Sequence, residues 1–293
     1  MRKLLACVPL MVLPLAALAN DAPCRFTENR DLTLDLAGAK TLVLEVNQHD
    51  LHVVAGSGAA RLSGRACASN AEWLRDLTLT QQRSGDKLVV SLRRENKPIT
   101  INSNGYAWLD IRGSVPADVL VQLKVGSGDG HIEGARSLSV DVGSGDADAL
   151  RTLGSVHAAV GSGDLRIEGA ESLNLLSIGS GDAKVAGVRR DVTVGSLGSG
   201  DLEVRDVGGN LEIRTIGSGD ADARQVRGNV HIGVVGSGDV ELRDIGGSLR
   251  VGSHGSGNIK AEGVGGNLTV ERSGSGEVRH SGVRGTVTLP RGK

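Results

Sequence analysis

The chain has 293 residues and a formal net charge of −1, from 33 Lys and Arg against 34 Asp and Glu. Aromatic residues are 1% of it, whereas 44 residues are glycine. The balanced charge excludes the basic footprint of a nucleic-acid or anionic-membrane binder. Beyond the N-terminus, no apolar run reaches the roughly 18 residues that a membrane-spanning helix needs.

The chain opens Met1-Arg2-Lys3, runs apolar from Leu4 to Leu18, and offers Ala17-Leu18-Ala19 as a small-residue exit. A positive start, a short apolar stretch and small residues read as a secretory signal peptide over residues 1–19. Cys7 falls inside it, leaving Cys24 and Cys67 in the exported chain. Export favours a disulfide between them, worth about 3–4 kcal/mol in the chain-entropy model. The alternative is a pair of free or metal-binding thiols, but two cysteines without a histidine-rich neighbour do not complete a zinc site.

Residues 20–118 read as a β-rich N-terminal cap. Period-2 alternation marks strands at Leu32–Leu36, Leu42–Val46, Leu77–Thr80 and Lys87–Leu92. Ser84-Gly85-Asp86 reads as the hairpin turn between the last two, and Asn70 to Leu74 fits a single helical turn. Phe26, Trp73, Tyr106 and Trp108 are the only aromatics. They all precede residue 118, which divides the chain by composition.

Residues 119–293 are repetitive. Gly-Ser-Gly-Asp begins at Gly126, Gly143, Gly161, Gly179, Gly198, Gly217 and Gly236, and continues as Gly-Ser-Gly-Asn at Gly255 and Gly-Ser-Gly-Glu at Gly274. The steps are 17, 18, 18 and then 19 residues. With Gly198 as position 1, apolar residues fall at positions 5, 7, 10, 14 and 16: Leu202, Val204, Val207, Leu211 and Ile213. Polar residues lie between them. Each unit therefore holds two short strands broken by glycine, and the second half echoes the first.

Units this short bury no core alone. The pattern predicts an all-β fold, a right-handed β-solenoid of about nine rungs in which like strands stack at about 4.8 Å. Glycine at the corner points to positive φ or to close backbone stacking. The open sheet edges at the rod's ends need protection. The N-terminal region would cap one, and Pro290 with the charged tail would blunt the other.

Asp129, Asp146, Asp164, Asp182, Asp201, Asp220 and Asp239 would form a column, one per rung. Stacked carboxylates repel unless bridged or hydrogen-bonded. One reading is a row of calcium sites. The other is that each Asp caps its own glycine turn. The Asp spacing differs from that of the calcium-binding nonapeptide solenoid, and calcium wants six to eight oxygens.

Arg205, Arg224 and Arg243 run beside Glu203, Asp222 and Glu241, which reads as a mutually neutralising solvated face. The histidines do not converge along the repeats. His49 and His52 could share a local site, and acids gathered with them in a cleft would be the signature of an enzyme. The Gly-Ser-Gly-Asp phrase lacks the Lys-Ser/Thr and helix of a phosphate loop. The repeats have no aromatics for stacking on sugars and no regular threonine array. No catalytic or cofactor-binding set emerges, and no cofactor is expected.

The run Trp108-Leu109-Asp110-Ile111-Arg112-Gly113-Ser114-Val115-Pro116, followed by Val121 to Val125 and the first Gly-Ser-Gly-Asp, resembles a bacterial β-strand-repeat family related to the GIN-type auto-transporter adhesin head. The similarity covers about residues 40 to 290. It implies a β-helical solenoid in the cell envelope and supplies no catalytic residues. The expected protein is exported, to the periplasm or the outer cell surface. It is non-enzymatic and presents an adhesin-like or structural surface to a protein or an envelope glycan. A periplasmic scaffold or sensor of envelope stress is the alternative, with a glycan-acting enzyme on a solenoid scaffold as a third.

Overall fold

The computed structural model describes residues 24–95 and 105–290; the predicted signal peptide over residues 1–19 and the tail after Pro290 lie outside the described residues. Among these residues, the chain forms two thirteen-stranded sheets and one short 3-10 helix.

The sheets are made rung by rung. β8 (Leu120–Val125) lies in the second sheet and β9 (Asp129–Glu133) in the first. The next rung, β10 (Ser137–Val142) and β11 (Asp146–Leu150), pairs parallel with them in register, Leu138 on Val121 and Ala147 on Gly130. The remaining strands follow alternately, ending at Val278–Ser281 in the first sheet and Val287–Thr288 in the second. Apolar side chains of both sheets fill one continuous column.

Six positions per unit point inward. Leu202, Val204, Val207, Leu211 and Ile213 are buried as the pattern predicts, and Ile216, at position 19, joins them. Leu197, Val235 and His254 occupy that same place in other rungs and are buried too. The inward sets 5, 7, 10 and 14, 16, 19 are related by nine residues, so the doubling of the unit is complete.

The step of three from 7 to 10 needs a local change of backbone direction, which a residue in the left-handed region supplies. Arg151, Gly169, Gly187, Asp206, Gln225, Asp244, Gly263 and Gly282 all take positive φ, one above another. This is where positive φ lies. At the Gly-Ser-Gly corner the requirement is space: a Cβ on Gly200 would sit 1.7 Å from the Gly181 carbonyl oxygen, and one on Gly219 would sit 1.8 Å from that of Gly200. Backbone N–H groups of each corner donate to carbonyls of the corner below, as Ser218 N does to Gly198 O at 2.8 Å.

The N-terminal strands continue the same stack out of sequence order. β2 (Thr41–Asn47) pairs parallel with β8, and β3 (Asp50–Gly56) with β9, so residues 41–56 form the rung directly beneath the first repeat. β6 (Lys87–Arg94) and β7 (Ala107–Pro116) form the next rung down. Both sheets thus pass through residue 118 unbroken.

Three antiparallel strands close that end. β4 (Arg61–Ala68) pairs with β7, β1 (Phe26–Thr33) with β4, and β5 (Leu77–Ser84) with β6 through the predicted Gly85-Asp86 turn. The helical turn spans Ala71–Asp76, capped by Asn70 accepting from Glu72 N at 2.9 Å. A Cys24–Cys67 disulfide ties the start of β1 to β4, with Cα atoms 5.6 Å apart.

Candidate binding face

The outer surface of the first sheet is a grid of side chains at positions 4, 6 and 8. The glycine corners fix it: because each corner stacks on the one below, every position forms a straight column. Position 4 reads Asp110, Asp50, Asp129, Asp146 and on through Asp239. Position 6 reads Arg112, His52, His131, Asp148, Arg166, Lys184, Glu203, Asp222, Glu241 and Lys260.

From Asp146 upward the Asp column is a hydrogen-bond ladder. Asp182 Oδ1 accepts from Asp201 N at 2.9 Å, Asp201 from Asp220 N at 3.1 Å, Asp220 from Asp239 N at 2.7 Å, and Asp239 from Asn258 N at 2.7 Å. Each carboxylate caps the turn of the next rung. This corrects the expectation that each Asp caps its own turn. The opposite corner carries a matching ladder, where Asp191 accepts from Asn210 N at 2.7 Å and Asn210 from Asn229 N at 2.8 Å. Among the described residues, no group of three or more His, Cys, Asp or Glu is placed to hold a metal ion.

The middle of the face is neutralised by ion pairs. Arg224 grips Asp222 through Nε and Nη2, both at 2.7 Å. Lys260 Nζ reaches Glu241 at 2.9 Å and Glu262 at 3.0 Å, while Arg243 pairs with Glu241 and Glu262. Hydrogen bonds from Lys260 and Arg243 hold Glu262 below its ordinary pKa. These side chains lie largely in water, so each pair contributes little alone.

The lower end of the face differs. Gln48, Asp50, His52, Arg65, Trp108, Asp110, Arg112, Ser127, Asp129, His131, Asp146 and Asp148 line an open cleft of about 790 Å³. His52 and His131 stack face to face, centroids 4.1 Å apart and planes 7° from parallel. His131 Nδ1 lies 3.5 Å from Asp148 Oδ2, long for an orienting hydrogen bond. Burial, then the neighbouring His131 and Arg112, lowers the His52 pKa. Burial, then the Asp129 and Asp110 carboxylates, raises that of Asp50. Asp110 sits between Arg65 and Arg112, each at 3.6 Å. The Arg65 guanidinium lies 5.7 Å from the Trp108 ring centroid.

The predicted His49–His52 pairing does not form. His49 is fully buried, its Nδ1 accepting from Leu109 N at 3.2 Å, while His52 points outward. The partner of His52 is His131, 79 residues on. The echo of Asp50-Leu51-His52-Val53 in Asp129-Gly130-His131-Ile132 was the sequence signal for it. Trp108, which the sequence placed only in the cap, joins the same cleft.

A family model described as "Putative auto-transporter adhesin, head GIN domain" matches residues 77–244. Solved structures align along most of the chain at low identity. A putative adhesin from Parabacteroides merdae shares 14% identity over 87% of this chain and 96% of its own, with a TM-score of 0.42. One from Bacteroides fragilis shares 15% over 91% and 98%, with a TM-score of 0.39. A putative lipid binding protein from Parabacteroides distasonis shares 14% over 90% and 97%, with a TM-score of 0.36. A search of curated proteins finds no match.

Proposed function

The chain belongs to the putative auto-transporter adhesin, head GIN domain family, and on that premise we propose that it is an exported, non-enzymatic envelope protein whose first sheet presents a recognition surface. In this reading the antiparallel strands β1, β4 and β5 cap the rod, while residues 41–56 and the strands β6 and β7 give its two lowest rungs beneath the repeats that build the rest of its length. The observation that carries this reading is the outer face itself. It is a rigid array of charged side chains in fixed columns, made from residues the core does not use. Rigid presentation of this kind lowers the ordering cost of binding an extended partner. Export is supported by the disulfide, which persists in oxidising compartments.

The lower cleft does not favour catalysis. Asp110 is occupied by two arginines, the histidine rings cover one another, and His131 is not held by a close carboxylate partner. A general base needs an oriented ring edge facing its substrate.

The test is protease accessibility of a tagged copy on intact cells, beside a periplasmic marker. It is paired with adhesion of cells carrying Arg205→Glu, Arg224→Glu and Arg243→Glu together. Cleavage in intact cells and lost adhesion are expected. Protection until the outer membrane is opened would replace surface adhesion with a periplasmic scaffold or sensor role. Unchanged adhesion of surface-displayed variant would remove the face from recognition.

A further inference from the structure

The Asp column changes its role at its lower end. From Asp146 upward each carboxylate is spent on the N–H of the next rung. Below that the backbone satisfies itself: Asp129 N donates to His49 O at 3.0 Å and Asp146 N to Gly128 O at 3.2 Å. Asp50 and Asp129 therefore hold carboxylates that no described hydrogen bond or ion pair occupies. They stand on neighbouring strands about 4.8 Å apart. Higher on this face the Asp column is answered by backbone N–H groups, whereas the cleft is lined by five carboxylates (Asp50, Asp110, Asp129, Asp146 and Asp148) with Arg65 and Arg112 as its cations, and Asp50 and Asp129 among them are the unoccupied pair.

The same cleft contains the one aromatic side chain of this face. Trp108 is partly exposed, at the end of a row completed by Gln48 and Ser127. An indole offers an apolar platform and a polar edge. Asp50, Asp129 and Gln48 beside it offer acceptors, and His52 and His131 add ring nitrogens. Apolar platform, acceptors and excess negative charge specify a flat ligand with one C–H face, several hydroxyls and a positive group. The strands from β7 to β11 span roughly 14 Å, room for a short oligomer.

We propose that this cleft binds a saccharide bearing free amino groups, with Trp108 against a sugar ring and Asp50 and Asp129 receiving its ammonium groups. The proposal rests on the reading of the first sheet's outer face as a recognition surface, and it names the ligand class for one end of it.

The test uses purified exported protein, disulfide intact, in a Trp73→Phe background, which leaves Trp108 as the sole tryptophan. The probes are a glucosamine tetramer and its fully N-acetylated counterpart, which keeps the ring stack and loses the charge. Saturable change in Trp108 emission with the amine form is expected. The acetylated form should bind about tenfold more weakly or worse, because hydrogen bonds to charged groups are the stronger ones. Asp50→Asn with Asp129→Asn should bring the amine form down to the acetylated level, while Trp108→Phe should retain binding, followed by calorimetry. Equal binding of both probes, or calorimetric binding unaffected by the Asp substitutions, would overturn the assignment. So would no binding of either probe by folded protein. Because this titration is made in solution, its failure leaves the cell-adhesion result to judge the outer face separately.

Discussion

The corner at Asn47–Asp50 and the nine glycine corners above it occupy the same place in successive rungs, yet only the lowest carries side chains at the two glycine places, with Asn47 at φ 55° and His49 in place of glycine. Gly128 cannot accept a Cβ, because the His49 carbonyl oxygen would lie 2.0 Å from it. His49 occupies the same place one rung down and has a full imidazole turned into the core. The difference is what lies beneath. Each glycine corner rests on another corner, whereas His49 rests on β7, which runs past without turning there. Stacking, rather than turn geometry, is what fixes glycine in this protein, and the first member of a stack is released from it. The released rung is also where the cleft lies, since Gln48, Asp50 and His52 belong to it.

The sharpest way to break this comparison is to place an alanine at each of the two corners. Gly219→Ala should destabilise by about 3–5 kcal/mol, because the clash is with backbone and cannot relax by rotating a side chain. Urea unfolding followed by circular dichroism would report it. His49→Ala meets no such clash and should cost only the buried imidazole contacts, about 1–3 kcal/mol. Equal losses would mean that stacking is not the constraint.

The two ends of the Asp column give a second contrast. Asp220→Ala removes the acceptor of Asp239 N and should cost about 1–2 kcal/mol, as loss of a cap does. Asp220→Asn should restore most of it, since Asn258 and Asn210 already serve in equivalent positions. Asp50→Ala should show no comparable loss of stability.

A smaller effect belongs to the left-handed column. Gln225 takes φ 58° where Gly187 and Gly263 stand in other rungs. Gln225→Gly should stabilise by about 0.5–1 kcal/mol, seen as a raised melting temperature.

The smallest effect is the pH response of the cleft. A carboxyl whose pKa is raised on folding binds its proton more tightly in the native state, so its contribution to stability falls as pH rises through that range. Asp50→Asn should flatten this decline as pH rises above the ordinary aspartate pKa of about 4. His52 has the opposite sign. Its lowered pKa means the unfolded chain takes up the proton first, so stability falls as pH drops below about 6.5. Asp50→Asn should leave that acid-side loss in place, whereas His52→Gln should reduce it. A variant that moved both limbs alike would show that the two groups are not separate.

Much of the fold was written in the period. Steps of 19 residues, two strands per unit and the inward apolar positions are local facts, and Leu202, Val204 and Ile213 sit where alternation puts them. Position 19 escaped because Ile216 follows two outward residues, Arg214 and Thr215, which breaks the period-2 alternation that marks the rest of the strand. The lower rungs were less legible for a different reason. Residues 41–56 stack beneath residues 120–133 although some sixty residues separate them, and periodicity cannot announce a neighbour that lacks the repeat. Hence the sequence split His52 from His131 and left Trp108 in the cap. The Asp column was visible as a column, but whether its carboxylates serve turns or ligands depends on where the backbone N–H groups point.

The ladders have a further consequence. From Asp146 upward every rung offers the next the same carbonyls and the same Asp or Asn acceptor that it receives from below. A complete unit copied in, or removed, therefore rejoins matching surfaces. The physical chemistry of the stack thus sets no fixed number of repeats, and the length of the rod is independent of the cleft at its base.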